Sequence, residues 1–176
     1  VRHVVRTGIV VAVLAVLASL SSCSRSDGAI DLRSDAFADG GIIPERFSCE
    51  GDSISPPLSW SDVPDDAVEL ALVMADFETS TGIFHHWVML GIDADDRSLE
   101  TGEVPDGAVL AQATSQNPVY IGPCPPTGER HEYLLTLFPL RQRLDLPSGT
   151  PTKDALDAID GARLPGEGEL RGTYGG

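Results

Sequence analysis

Short runs of β-forming apolar residues, separated by clusters of Pro, Gly and Asp, constrain the fold of this chain more than any other feature. The clearest runs are residues 68–75, 86–92 and 133–137, and residues 56–60 and 169–174 indicate two further strands. Successive strand residues point to opposite faces, and runs of this length suit strands better than helices. Many strands predict an all-β fold, an antiparallel β-sandwich with one or two short helices.

Only residues 152–159 have the spacing of a helix. Thr150 or Thr152 is expected to cap its start, and Gly161 is placed where helices commonly end. This segment therefore predicts one short helix near the C-terminal end of the domain.

The first 22 residues have the pattern of an export signal. Arg2 and Arg6 precede an apolar run at residues 9–18, and Leu-Ser-Ser then leads to Cys23. This ending resembles a lipoprotein box, after which cleavage leaves Cys23 to carry lipid. An uncleaved membrane anchor is the alternative, but the run is shorter than the roughly 20 residues of a spanning helix. We therefore expect an exported lipoprotein of the cell membrane that faces the extracytoplasmic side.

The charge of the chain excludes one class of partner. The net charge is −15, and without residues 1–22 the balance is 10 Lys plus Arg against 27 Asp plus Glu, or −17. Binding to nucleic acid needs clustered cations, so we expect no nucleic-acid partner. An anionic membrane would be repelled except through the lipid on Cys23. Residues 23–35 are interpreted as a tether, and residues 36–176 as a single domain.

Two histidine-bearing segments, residues 84–90 and 122–133, predict a small polar pocket. Strand alternation places His85 and His86 on opposite faces, with His86 on the face of Val88 and Leu90. His85 is accordingly interpreted as a structural or exposed residue. On the second segment, His131 shares a face with Tyr133 if the strand extends back that far.

Asp76 ends the run at residues 68–75, where a strand gives way to a loop. A carboxylate, two imidazoles and a phenol at strand ends are thus expected to converge on one site. Asp76 would raise the pKa of an imidazole beside it.

Five motifs in this order resemble the phosphatidylethanolamine-binding protein family, and within it the bacterial Raf kinase inhibitor-like branch. The resemblance covers essentially the whole domain. The matching segments are residues 47–51 with 55–60, residues 76–82, residues 85–88, residues 122–126 with His131 and Tyr133, and residues 170–174. The chain departs from the family at Phe77, Glu78 and Ser80, which replace Pro, Asp and Pro, and at Glu132, which replaces Arg.

The resemblance implies a Greek-key β-sandwich with a small ligand cavity at one end. It implies a pocket for phosphate, carboxylate or a phospholipid headgroup, made by Asp76, His86, the backbone of Gly122 and Pro123, His131 and Tyr133. Because the domain repels anions at long range, attraction has to be local. Backbone N–H groups, the Tyr133 hydroxyl and protonated imidazoles are the expected donors. The anion should then bind more tightly near pH 5.5 than near pH 8.

The cysteines other than Cys23 are Cys49 and Cys124. In an exported protein they could form a disulfide, and two free thiols are the alternative; the separation of their Cα atoms decides between the two. No H-E-x-x-H spacing or Cys pair indicates zinc, so neither a metal nor a cofactor is expected.

Three functions remain open at this point. The first is a tethered binding protein for a small anion or headgroup, which would not be an enzyme. The second is a surface-driven inhibitor of a kinase or protease, with a protein target that the sequence does not name. The third is a weak phosphoester hydrolase, although no G-x-S-x-G motif is visible. A homodimer is compatible with each.

Overall fold

The computed structural model describes Val1 and residues 29–176, so the predicted signal peptide and Cys23 lie outside the described residues. Within that part, the helical elements are α1 (Thr152–Ala162) and one turn of 3-10 helix (Glu45–Phe47). The strands are β1 (Asp31–Arg33), β2 (Gly41–Ile42), β3 (Leu58–Ser61), β4 (Glu69–Asp76), β5 (Phe84–Asp93), β6 (Ser98–Leu99), β7 (Val109–Leu110), β8 (Arg130–Leu140) and β9 (Gly168–Gly175).

The strands form two sheets, so the prediction of an all-β fold is confirmed. One sheet has the order β1-β3-β6, and the other has the order β2-β9-β8-β4-β5-β7. All pairs are antiparallel except β2 with β9, which are parallel. The Greek-key connection of these strands stays a prediction.

The larger sheet buries side chains on both faces. Met74, Trp87 and Leu135 belong to a core shared with Leu58 and Trp60 of the smaller sheet. The opposite face carries a second core, shared with the helix. Burial on both faces explains why β4 is an unbroken apolar run rather than an alternating one.

The helix α1 begins at Thr152, as predicted, but it runs past Gly161 to Ala162 and has a different N-cap. Pro151 occupies the N-cap position and makes no side-chain capping bond. The prediction that Thr150 or Thr152 caps the helix is wrong, because their hydroxyls donate to the carbonyls of Pro147 and Gln112 instead. No helix in the described part of the chain is long and apolar enough to cross a membrane.

A β-bulge in β5 sets the direction of His86. Met74 pairs with Trp87 and the next residue, Ala75, pairs with His85, so His86 has no partner on β4. The extra residue turns toward the inter-sheet face, where its ring meets Tyr133 edge-on at a centroid distance of 5.2 Å. The prediction that His86 shares a face with Val88 and Leu90 is therefore wrong, since those two residues belong to the helix-side core.

Candidate functional site

A cavity of about 450 Å³ lies at the ends of the central strands of the larger sheet. This volume lies within the usual range of small-molecule sites, roughly 300–1,000 Å³. Strand-borne and loop-borne residues enclose it: Asp76, Glu78, Thr79, Ser80, Phe84, His86, Ile121, Cys124, Pro126, Glu129 and His131. The structure thus brings together Asp76, His86 and His131, which the sequence placed in one pocket.

The neighbours of His131 are carboxylates at both ring nitrogens. Its Nδ1 lies 2.7 Å from Oδ2 of Asp76, and its Nε2 lies 3.3 Å from Oε2 of Glu129. The hydrogen bond to Asp76 is the main reason that the pKa of His131 is raised, and Glu129 adds to the effect. Only 6% of His131 is exposed, so this imidazole is buried between two acceptors that favour its protonated form.

His86 is held by a backbone carbonyl and two aromatic rings instead of carboxylates. Its Nδ1 lies 2.9 Å from the carbonyl oxygen of Ile121, so Nδ1 carries the proton and donates it. Phe84 and Tyr133 pack against the ring at centroid distances of 4.6 and 5.2 Å. Burial lowers the pKa of His86, although the carbonyls of Ile121 and Gly122 and the charge of Asp76 partly oppose this. His86 is therefore the neutral imidazole of the site at neutral pH, with Nε2 as an acceptor.

Asp76 also shapes the loop that follows β4. Its Oδ1 accepts a hydrogen bond from the backbone N–H of Glu78 at 2.8 Å. A side-chain bond of this kind stabilises a turn without proline. It accounts for an ordered loop where the family has prolines, and no cis peptide bond occurs in the described residues.

Gly122 and Pro123 stand behind the cavity wall rather than in it. The N–H of Gly122 donates to the hydroxyl of Ser53 at 3.1 Å, and proline has no N–H. These two residues therefore do not supply the expected backbone donors. Gly122 is required for close packing, because a Cβ there would lie 2.8 Å from the backbone nitrogen of Cys49.

A disulfide fixes this wall of the cavity. Cys49 and Cys124 are bonded, and their Cα atoms are 5.5 Å apart, within the usual range for a bridge. The backbone N–H of Cys49 also donates to the carbonyl of Pro123 at 3.1 Å. The segment that carries Ile121, the partner of His86, is thus tied to residues 47–53.

Tyr133 lies beneath the cavity, in the core between the sheets. Its side chain is fully buried, and its hydroxyl forms no hydrogen bond with a described residue. Burial and the nearby charge of Asp76 raise the pKa of the phenol. Tyr133 shares a face with His131, as expected, because β8 begins at Arg130.

Two carboxylates of the site, Glu78 and Glu129, were not predicted from the sequence. Glu78 lies two residues after Asp76, and Glu129 two residues before His131, so each is close in the chain to a predicted residue. Their charge was counted only as part of the acidic surface. Despite this density of acidic groups, the described residues contain no cluster of three or more His, Cys, Asp or Glu arranged to hold a metal.

Two β-sheets packed face to face, with a cavity at the ends of the central strands of the larger sheet, place the chain in the β-sandwich class. Residues 33–175 match the family model of the phosphatidylethanolamine-binding proteins, and the chain belongs to this family.

The chain is 41% identical over 150 residues to a UPF0098 protein of Methanothermobacter thermautotrophicus, covering 82% of this chain and 98% of that protein. It is 39% identical over 148 residues to LppC of Mycobacterium tuberculosis, which is named as a candidate lipoprotein, covering 84% of this chain and 73% of LppC.

A solved structure described as a candidate phosphatidylethanolamine-binding protein homologue from Chlamydia trachomatis has the same fold. Its TM-score is 0.78 at 34% identity, covering 85% of this chain and 99% of that one. YbcL of E. coli also has a TM-score of 0.78, at 21% identity, with 83% of this chain and 98% of that chain covered, and that likeness concerns the fold alone.

Proposed function

We propose that this protein binds a small anion, or the anionic group of a phospholipid headgroup, at His86. The observation that carries the proposal is the free ring nitrogen of His86. Nε2 makes no hydrogen bond to a described residue, whereas both nitrogens of His131 are bonded to carboxylates. His86 is thus the imidazole of the cavity that is available to a ligand.

The protonation of His86 couples to binding. Nε2 of a neutral His86 accepts a hydrogen bond from a protonated ligand group, and Nε2 of a protonated His86 donates one to an anion. Because its pKa is lowered, the protonated form becomes common only below the ordinary value of 6.5. The raised pKa of His131 keeps that ring charged to higher pH, which offsets the charge of Asp76. Protonation of either ring as the pH falls favours anion binding.

Glu78 and Glu129 refine the ligand class. They line the same cavity as His86 and would repel a bare phosphate. The ammonium of a zwitterionic headgroup would be attracted by them while its phosphate lies at His86. Phosphoethanolamine is therefore expected to bind more tightly than inorganic phosphate.

Calorimetric titration with phosphate and with phosphoethanolamine at pH 5.5 and pH 8 tests this function. We expect tighter binding at pH 5.5, a preference for phosphoethanolamine, and loss of binding of both in His86→Ala. Equal affinities at the two pH values would remove imidazole protonation from the mechanism. Unchanged binding in His86→Ala would show that the ligand binds outside this cavity. That result would favour the alternative of an inhibitor that acts through its surface.

We further propose that the domain acts outside the cytoplasm, held to the membrane by lipid on Cys23. The support is the sequence pattern before Cys23 and the similarity to LppC, a protein named as a candidate lipoprotein. Labelling of the full chain with a fatty-acid analogue should mark the native chain but not Cys23→Ala. Label in both would contradict the assignment.

We propose a role in binding rather than catalysis, and two features of the same cavity support it. Cys124 lines the cavity but is bridged to Cys49, so it is not a nucleophile there. His131, with both nitrogens bonded to carboxylates, is not free to act as a general base. We expect no turnover of a panel of phosphoesters, and release of product would favour a hydrolase.

A further inference from the structure

A second cavity lies on the opposite face of the larger sheet, between the sheet and α1. Its volume is about 220 Å³. The lining is mainly apolar and includes Val73, Ala75, Phe77, Phe138, Leu156 and Ile159. Phe77 is 57% exposed, so apolar surface remains open to solvent there.

The two cavities are separated by the sheet and have no lining residue in common. Asp76 and His86 face the first cavity, and their chain neighbours Ala75 and His85 face the second. A ligand in one cavity therefore touches none of the residues that line the other. A substitution in the lining of one cavity can therefore change binding there without changing the lining of the other.

Polar groups at the second cavity indicate what kind of apolar ligand would bind. The imidazole of His85 makes no hydrogen bond with a described residue, and burial lowers its pKa, so it is a neutral donor and acceptor. Arg163 and Asp160 form an ion pair of 3.2 Å with largely exposed side chains. Such pairs contribute little, so the guanidinium can exchange Asp160 for a ligand carboxylate at small cost.

The local charge also differs from that of the domain. Arg141 donates to the backbone carbonyl of Arg163 at 2.6 Å, which brings a second guanidinium to this end of the helix. The charged residues that line the cavity are Arg163 and Asp160, so with Arg141 nearby two guanidinium groups stand against one carboxylate, in a chain with a net charge of −15. Asp160 is the more exposed member of its pair, with 73% of its side chain exposed against 49% for Arg163, so its carboxylate is the better solvated of the two groups.

We propose that this cavity binds a small apolar carboxylate, one with a single aromatic ring or a short hydrocarbon chain. The hydrocarbon would pack against Phe77, Phe138 and Leu156, and the carboxylate would pair with Arg163. Size supports this class, since an apolar cavity of about 150 Å³ holds one benzene. A folded protein partner would need a contact area far larger than this hollow, of the order of 800 Å² per side.

Titration of the full chain with phenylacetate tests the proposal, with binding followed by calorimetry. We expect a dissociation constant below about 1 mM in the unmodified protein. The same affinity should be found in His86→Ala, because the first cavity shares no residue with the second. Leu156→Trp should abolish binding by filling the hollow, and Val104→Trp, at an exposed position outside it, should not.

The charge contact is tested in the same way. Arg163→Gln should weaken the binding of phenylacetate by about tenfold or more, as expected for loss of a charge-assisted hydrogen bond. Arg171→Gln removes another exposed ion pair, with Glu169, and should have no effect. Benzyl alcohol, which lacks the carboxylate, should bind the unmodified protein and Arg163→Gln equally weakly.

Three results would overturn the proposal. The first is no binding of phenylacetate at about 10 mM, and the second is loss of binding in His86→Ala. The third is concentration-dependent self-association in sedimentation that Leu156→Trp abolishes, because a second copy of the chain would then cover the hollow. A circular-dichroism melt of each variant confirms that it is folded before it is scored.

Discussion

His86 and His131 line one cavity, but their neighbours drive their pKa values in opposite directions. His131 lies on a strand between two carboxylates, and its pKa is raised. His86 lies against a loop carbonyl and two aromatic rings, and its pKa is lowered. The charge of a histidine is thus set by the groups that contact its ring and not by the cavity that it faces.

The two histidines also depend on different walls of the cavity. The His131 wall consists of strand ends, where Asp76 pairs directly with Tyr133 in the sheet. The His86 wall consists of the loop around Ile121, which the disulfide at Cys124 ties to residues 47–53. Substitutions in one wall should therefore change the pKa of its own histidine more than that of the other.

Removal of the disulfide should have the largest effect on this comparison. The bridge spans 75 residues, and Cys49→Ser with Cys124→Ser should lower the free energy of unfolding by about 2–4 kcal/mol. Loosening of the loop should also let the pKa of His86 rise toward its ordinary value, while that of His131 stays raised. Urea denaturation and an NMR titration of the imidazoles measure the two effects. An equal change at both histidines would contradict the separation of the walls.

Asp76→Asn should have the next largest effect, and mainly on the His131 side, because Asp76 bonds to His131 and acts on His86 through its charge alone. It replaces a buried charged hydrogen bond, so we expect a loss of about 2 kcal/mol at pH 5.5. Because the pKa of His131 is raised by folding, its stabilisation is fully present below about 6.5 and is lost as the pH rises through the folded value. The cost of Asp76→Asn should thus shrink at alkaline pH.

A matched control for this substitution is Asp157→Asn, which removes an exposed ion pair with Lys153 on α1. It should cost less than about 0.5 kcal/mol at either pH. A cost of Asp76→Asn that did not change between pH 5.5 and pH 9 would contradict a titration of His131 within this range in the folded protein.

Glu129→Gln should have the smallest effect of the three. Glu129 is bonded to Nε2 of His131 at 3.3 Å, but its side chain is 60% exposed. We expect a lower pKa for His131, by less than Asp76→Asn causes, and a change in stability of less than about 1 kcal/mol. NMR titration of both variants ranks the two carboxylates. A larger shift from Glu129→Gln would reverse the assignment of the main partner.

The sequence was sufficient for the elements that hold the site. The apolar runs predicted the cores of β4, β5 and β8, because burial on both faces leaves a continuous hydrophobic signal. The position of Asp76 at a strand end and the shared face of His131 and Tyr133 follow from strand geometry alone.

The direction of His86 could not be read from the sequence. It depends on a bulge, which is a property of pairing between two strands and leaves no mark in the alternation of one of them. The prediction of the helix cap was wrong for a related reason. Thr152 has the side chain of a capping residue, but tertiary contact with Gln112 claims its hydroxyl.

The backbone of Gly122 and Pro123 was expected to face the ligand because a Gly-Pro turn looks open in the sequence. In the structure, the N–H of Gly122 donates to the hydroxyl of Ser53, and the carbonyl of Pro123 accepts from the N–H of Cys49.

The bulge at His86 gives the tandem histidines a further meaning. If β4 and β5 paired without the bulge, the residues before Trp87 would all change sides of the sheet. His85 would then face the first cavity, which Asp76 and His131 line, in place of His86. Either pairing delivers one imidazole to that position. A duplicated histidine thus makes the chemistry of the strand end tolerant of a one-residue slip, a mistake that would otherwise leave the pocket with a side chain of the wrong kind.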